Sequence, residues 1–234
     1  ICYTSRKLMD ERPGDNNRAQ RFTELISAKE KFSLSDIHDI KFDIALSRSG
    51  SFAQSMKPLF ELDENKYADL KEPIGILKSW NRVCDIHEYA PTLLALCIRT
   101  IFDKYHLDDA NFVLGFKVSE DEWVSTLRSA CDTLRNNFGT VKVQWGNVNR
   151  LVRGNKDFPL SSFPDVLSPS YPKKMDGRFA FKAVHGDTYT MFAAFGKNGL
   201  EQLSALQPLG NSLNAGSPHY NDQMELFIHR QMRS

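Results

Sequence analysis

The sequence predicts an α+β protein that is mainly helical over residues 1–139 and formed by a loop and antiparallel strands over residues 140–234. In the first part, apolar residues recur every three or four positions, as is typical of amphipathic helices. After Gly139 the pattern changes to short runs of Phe, Val and Ala separated by Gly, Pro and Ser. A block of helices followed by a block of strands favours the α+β class over an alternating α/β class.

The helical part carries recognisable start and stop signals. Ser33 and Ser119 are each followed three residues later by a carboxylate, and Gly139 has the position of a helix terminator. Gly50 is expected to break the helix that Ser33 begins, and Pro58 is expected to bend or end the next one. The predicted helices cover residues 18–30, 34–44, 52–60, 66–80, 90–105 and 120–138. The fifth is apolar on nearly all sides, which predicts a helix buried on several faces.

The strands are predicted near the C-terminus. Phe179–Val184 and Tyr189–Phe195 are two candidates, joined by a tight turn at residues 185–187. A second turn leads to a third candidate, Leu203–Leu209, and the three are predicted to form an antiparallel meander.

An irregular loop is predicted over residues 158–172, which are rich in Pro and Ser. Asp157, Asp165 and Asp187 lie beside turn-forming residues, and local Asx-type hydrogen bonds are predicted for all three. The six histidines have no metal-ligand spacing. The sequence also lacks a Gly-x-Ser-x-Gly nucleophile motif and a phosphate-binding glycine loop.

Composition excludes several classes of protein. The formal net charge is +1 and the cations are scattered, which argues against a nucleic-acid partner. The longest apolar run, Pro91–Cys97, is too short for a membrane span. The four cysteines have no zinc spacing. Cys97 and Cys131 are predicted to be small buried hydrophobes, while a Cys84–Cys97 disulfide stays open.

Several motifs follow one another in a fixed order along most of the chain. They are NNRAQRFTEL (Asn16–Leu25), LKSWN (Leu77–Asn81), DEWVSTLRSACDTLRNNFG (Asp121–Gly139), WGNVNRLVRG (Trp145–Gly154), FPDVL (Phe163–Leu167) and GNSLNAGSPHYNDQ (Gly210–Gln223). The set resembles the C-terminal part of the beta chain in the penicillin acylase family of N-terminal-nucleophile hydrolases. The branch of acyl-homoserine lactone and lipopeptide acylases looks closest. Asn221 departs from that family's more usual Asp.

The resemblance implies a fragment of the αββα fold of these enzymes and a function in amide hydrolysis. The nucleophile would be an N-terminal Ser, activated by its own α-amino group and located upstream of this chain. Arg21 resembles an arginine that supports an oxyanion-hole Asn and the reactive amino terminus, with Arg18 as the alternative if the alignment slips. An arginine fits because its planar guanidinium offers five donors and stays charged. The competing interpretation is that both are solvated charges on an amphipathic helix.

No cofactor is required by this chemistry, but the resemblance allows one structural calcium ion with Asp10 as a ligand. Calcium takes six to eight oxygens, so a single carboxylate does not establish a site, and a solvated loop residue is the favoured interpretation of Asp10. The His219–Asp222 side chains of the closing motif are predicted to satisfy backbone groups and to anchor the terminal helix, rather than to take part in catalysis.

We therefore expect residues 1–234 to be a single incomplete domain of a longer polypeptide. Its expected partners are the alpha chain and the N-terminal part of the beta chain from the same precursor, together with a small N-acyl substrate. Penicillins, acyl-homoserine lactones and lipopeptides all remain open, with a preference for long acyl chains. By family analogy the location would be periplasmic or secreted. A noncatalytic scaffold or binding module of the same shape is the alternative, and the isolated piece is predicted to be inactive.

Overall fold

The computed structural model describes residues 16–108, 111 and 115–234 and confirms the α+β class. The helices are α1 (Asn17–Ser27), α2 (Leu34–Lys41), α3 (Gly50–Phe60), α4 (Lys71–Ser79), α5 (Ala90–Tyr105), α6 (Glu120–Phe138), α7 (Trp145–Val148) and α8 (Met224–Ile228). The strands are β1 (Asn149–Arg153), β2 (Lys156–Pro159), β3 (Ser170–Lys174), β4 (Phe181–Gly186), β5 (Thr190–Gly196) and β6 (Gly199–Leu206). Among the described helices, none combines the length and apolar character that crossing a bilayer requires.

Local capping signals set the ends of α2 and α6. Ser33 and Ser119 each form a reciprocal capping box with the residue three positions on, Asp36 and Glu122 respectively. Gly139 ends α6 in the left-handed conformation, with φ of 72°, which glycine adopts without a Cβ penalty. The predicted bounds of α5 agree with the structure.

Three helix predictions need correction. The second helix ends at Lys41, and Ile44 instead leads into a β-bridge between Ala45 and Val83. Gly50 begins α3 and does not end α2, and Pro58 lies inside α3, two residues before its end, where it removes one backbone hydrogen bond without breaking the helix earlier. The predicted helix over 66–80 divides into a short 3-10 turn at Ala68–Leu70 and α4.

The main hydrophobic core lies among α3–α6 and continues under α7 and the four-stranded sheet. Trp123 and Trp145 are fully buried there. Cys84, Cys97 and Cys131 are also buried, and all three are free thiols, so the Cys84–Cys97 bridge does not form. Burial raises the pKa of Cys97 to about 12 and that of Cys131 to about 11. Cys97 and Cys131 therefore behave as small apolar residues, as predicted.

The predicted meander is wrong. One sheet has the order β2-β1-β4-β3, in which β1 and β4 are parallel and the other pairs antiparallel. The strands β5 and β6 form a separate antiparallel hairpin. Both edges of β4 are already used by β1 and β3, so β5 cannot pair with it, and residues 185–187 are not a hairpin turn. The last strand begins at Gly199, four residues before the predicted start.

The closing motif does anchor the C-terminal segment. The Asn221 side chain donates to the Arg153 carbonyl oxygen at 3.0 Å, which ties the motif to β1. The Gln223 side chain accepts from the Gln207 backbone N–H at 3.0 Å. Around these contacts a second, smaller core holds Leu206 and Met224. The predicted anchoring role is therefore confirmed for Asn221, whereas the His219 ring bonds the Asp222 side chain at 3.0 Å rather than a backbone group.

Candidate functional site

The first turn of α1 is held against two distant parts of the chain by Asn17. Its backbone N–H donates to Asp165 Oδ2 and its side-chain amide donates to the Asp165 carbonyl oxygen, both at 2.9 Å. Its side-chain oxygen accepts from the Ser47 backbone N–H at 2.8 Å. Asn17 is only 3% exposed, so these bonds replace contacts with water. They fix the position from which Arg18 and Arg21 extend.

Arg18 pairs with the fully buried side chain of Asp165, with 2.8 Å between Arg18 Nε and Asp165 Oδ1. The Arg18 side chain itself is 43% exposed. Burial raises the pKa of Asp165, because the charge of Arg18 and its hydrogen bonds only partly offset the loss of hydration. Asp165 also has φ of 59°, a left-handed conformation that costs energy in a residue other than glycine.

Arg21, one turn further along α1, contacts a different pair of carboxylates. Its Nε and Nη2 atoms donate to the two oxygens of Asp43 at 3.0 and 2.9 Å, and its Nη1 donates to Glu24 at 3.1 Å. Hydrogen bonding to Asp43 is the main cause that raises the pKa of Arg21. Burial opposes ionisation of Glu24, but hydrogen bonds from Ser47 and Arg21 together outweigh it and lower the pKa of that carboxyl.

These contacts limit what each arginine can offer to a reacting group. A guanidinium has five N–H donors, and the bonds described engage three of those of Arg21 but only one of those of Arg18. The charge of Arg21 is balanced by two carboxylates and that of Arg18 by one. Because these carboxylates neutralise the two arginines, neither guanidinium is well placed to act through its charge, for example by repelling the protonated form of a nearby amine. Either residue is better suited to act by donating hydrogen bonds.

A third long-range contact lies nearby and joins α2 to the segment after β4. Lys41 Nζ lies 2.8 Å from both oxygens of Asp187, and Ser168 Oγ donates to the same carboxylate at 2.7 Å. Asp157 similarly bridges two arginines, Arg150 and Arg178.

The local Asx-type bonds predicted for Asp157, Asp165 and Asp187 are thus wrong. These carboxylates join elements that are far apart in sequence, because each lies where a cation from another element can neutralise it. Sequence reasoning also missed Asp43 as the main partner of Arg21. No signal pointed to Asp43, because it lies within the helix predicted over residues 34–44.

The residues that the structure covers contain no cluster of metal-ligating side chains. Within that part of the chain, no three His, Cys, Asp or Glu side chains are grouped so as to hold a metal ion. The carboxylates nearest to the two arginines, those of Asp43, Glu24 and Asp165, are committed to cations or hydrogen bonds. Asp10 lies outside the described residues, so its calcium role stays a prediction.

The match to known proteins covers almost the whole chain. The family model described as penicillin amidase matches residues 3–234. The chain belongs to the penicillin amidase family. No curated protein matches it. Among solved structures, this penicillin amidase chain is similar to the thermostable penicillin G acylase from Alcaligenes faecalis in orthorhombic form, with 15% identity and a TM-score of 0.47. That match covers 91% of this chain and 48% of the acylase chain, so the chain spans about half the length of that relative.

Proposed function

We propose that this chain is the C-terminal beta-chain portion of an N-acyl amidohydrolase. The observation that carries the proposal is the family match over residues 3–234. The reaction is hydrolysis of an amide bond by an N-terminal Ser whose α-amino group acts as the general base. The Ser belongs to an upstream part of the same precursor. The alpha chain and the N-terminal part of the beta chain are the partners, and the mature protein is periplasmic or secreted.

Arg21 contributes to this chemistry as a positioning residue. Two of its N–H donors are free of the contacts to Asp43 and Glu24, which is enough to hold the carbonyl of an Asn that lines the oxyanion hole. The bidentate pairing with Asp43 fixes the guanidinium plane. Arg18, which commits one of its five donors among the described residues and has an exposed side chain, is the alternative residue for the same role.

The C-terminal hairpin supports a chain that functions within a larger assembly and forms one incomplete domain. Its outward face carries Met191, Phe195 and Leu200, which are 52%, 75% and 53% exposed. A contiguous apolar surface of this kind marks an interaction site in a soluble protein. Coverage by the upstream half of the precursor would remove that surface from water.

The test uses the full-length protein from which this chain derives. We expect hydrolysis of chromogenic N-acyl amides, with the acyl chain length of best turnover separating penicillin, acyl-homoserine lactone and lipopeptide substrates. Arg21→Ala should lower kcat or block processing by about tenfold or more, because a charge-assisted hydrogen bond is lost. Arg135→Ala, which removes an exposed arginine from α6, is the matched control and should leave both unchanged.

Two outcomes would contradict the proposal. A full-length protein that neither processes itself nor hydrolyses any acyl amide would instead be the noncatalytic scaffold. Activity of the isolated 234-residue chain would show that the nucleophile lies within it. Normal turnover and processing in both Arg21→Ala and Arg18→Ala would remove the two arginines from the site while leaving the acylase assignment in place.

A further inference from the structure

A cavity of about 430 Å³ lies between α3, α4 and the segment that follows α4. Its walls include apolar side chains from both helices, among them Phe60 from α3 and Leu77 from α4, and Trp80 from the segment after α4. This volume corresponds to about fourteen water molecules at the ~30 Å³ that each occupies in the liquid. The cavity is therefore large enough for a small organic ligand.

The lining of this cavity is strongly cationic. Four basic side chains, Arg48, Lys57, Lys78 and Arg82, contribute to it, against a single carboxylate, Glu61. Glu61 is 3.8 Å from Lys57 and both side chains are well exposed, so their attraction is weak. Within the described part of the chain, the other three cations form no ion pair. The cavity thus concentrates positive charge that the protein leaves unbalanced.

Arg82 is the least hydrated of these cations. Its guanidinium lies 3.2 Å from the centre of the Phe60 ring and 6.0 Å from that of Trp80. Burial, followed by repulsion from Arg48, lowers the pKa of Arg82 to about 10. The group remains protonated at neutral pH and has lost water without gaining an anion. Such a cation is stabilised strongly by a negatively charged ligand.

The backbone holds Arg82 in a fixed and unfavourable conformation. Its φ is 74°, in the left-handed region that residues with a Cβ rarely occupy. The Arg82 carbonyl accepts from the Leu46 N–H at 2.9 Å, and the Cys84 N–H donates to the Ile44 carbonyl at 3.0 Å. These bonds flank Arg82 and hold it beside the segment that carries Arg48. Backbone strain that the surroundings enforce in this way is often found at ligand sites.

We propose that this cavity binds a small oxyanion that carries two or more negative charges, of the pyrophosphate or phosphate-monoester class. Planar guanidinium groups match the spacing of phosphate oxygens and donate to them in pairs. Two arginines and two lysines on one cavity favour a multiply charged ligand over a monovalent one. The apolar wall from Phe60, Leu77 and Trp80 accommodates an organic group attached to the phosphate.

The test measures binding by titration calorimetry on the full-length protein at low ionic strength. The probes are pyrophosphate, glucose 1-phosphate, inorganic phosphate, sulfate and acetate. We expect pyrophosphate and the phosphate monoester to bind more tightly than acetate, with affinity falling steeply as salt is added. Arg48→Gln and Arg82→Gln should each weaken pyrophosphate binding by about tenfold or more.

Arg99→Gln is the matched control, because Arg99 is also a half-buried arginine over an aromatic ring, that of Phe181 at 5.4 Å. It should leave pyrophosphate affinity unchanged. If Arg82→Gln fails to fold, the exposed Arg48→Gln and Lys78→Gln variants make the same test without changing the core. Absence of pyrophosphate binding to the wild-type protein would overturn the proposal. Unchanged affinity in an Arg48→Gln/Lys78→Gln double variant would overturn it equally.

Discussion

The helical region from α3 to α6 and the β5–β6 hairpin differ in how far their apolar side chains are buried. In the helical region, Leu93 and Leu127 are fully buried in the main core, which the helices form together with α7 and the four-stranded sheet. In the hairpin, Met191, Phe195 and Leu203 are between 46% and 75% exposed. The helical region buries its large apolar side chains, whereas the hairpin leaves several of them exposed to water.

The alternation of side chains explains this difference. Along β5, Met191, Ala193 and Phe195 point to the exposed face, and Phe192 points to the side that packs on the small core. Buried positions of the hairpin include the polar residues Thr190 and Ser204. Apolar side chains on the outward face leave hydrophobic surface in water, which favours association with a partner that covers them. The comparison therefore teaches that the helical region buries its apolar side chains within the described chain, whereas the hairpin leaves them exposed, as expected if the proposed upstream half of the precursor covers it.

The largest expected effect tests the two regions with the same substitution. Leu127→Ala should lower the free energy of unfolding by about 3 kcal/mol, because it leaves a cavity in a closed core. Leu203→Ala, at 46% exposure, should change it by less than about 0.5 kcal/mol in the chain alone. Urea unfolding followed by circular dichroism measures both. Equal losses of unfolding free energy in Leu127→Ala and Leu203→Ala would contradict the difference in burial between the two regions.

A smaller effect is expected at the contact that joins α1 to the loop before β3. Asn17→Ala should cost about 1–3 kcal/mol, since the Ser47 N–H and the Asp165 carbonyl lose their buried partner. Asn137→Ala is the matched control, because its amide donates to a carbonyl one turn back on the exposed side of α6. That variant should remain within about 0.5 kcal/mol of wild type in the same unfolding assay. If Asn17→Ala loses less than about 0.5 kcal/mol, water replaces the hydrogen bonds of the Asn17 side chain in the variant.

Elements specified by neighbouring residues were predictable from the sequence, and elements specified at long range were not. The capping boxes at Ser33 and Ser119 and the all-apolar segment of α5 depend on residues a few positions apart. The Asn17–Asp165 bonds span 148 positions and the Lys41–Asp187 pair spans 146. Neither pairing leaves a periodic pattern, so no spacing rule could find it.

Strand pairing and the candidate sites fall in the same category. Whether β5 joins β4 depends on which edges of β4 are already taken, and the parallel partner β1 lies about 30 residues earlier. The acylase assignment came from the order of motifs, whereas the carboxylate partners of Arg18 and Arg21 emerged only from the structure. The cationic cavity at Arg48 and Arg82 likewise combines residues that no motif connects.

The exposed face of the hairpin provides a third test, which concerns association rather than unfolding. Phe195→Ser should leave the unfolding free energy of the chain alone within about 0.5 kcal/mol, since the side chain is 75% exposed. It should also reduce self-association, measured by light scattering across a concentration series, because the apolar surface shrinks. In the full-length protein the same change should destabilise the assembly. If Phe195→Ser leaves the stability of the full-length protein unchanged, nothing covers this face of the hairpin.

The smallest expected effect is a pH dependence that distinguishes the buried contact at Asp165 from ordinary surface carboxylates. Its folded-state pKa is raised above the ordinary Asp pKa of 3.8, chiefly by burial, so the folded state holds the proton more tightly than the unfolded state does. The stability from this group is present below about pH 4 and is lost as pH rises through the raised value. Asp165→Asn removes that component, so wild type should lose stability relative to the variant over this interval.

Glu24→Gln should show the opposite sign, because the pKa of Glu24 is lowered and its contribution to stability appears as pH rises toward 4.5. Urea unfolding of wild type and the two variants at several pH values measures how the stability of wild type relative to each variant changes with pH. If this difference changes in the same direction for both variants, the two carboxylates do not differ in environment as described.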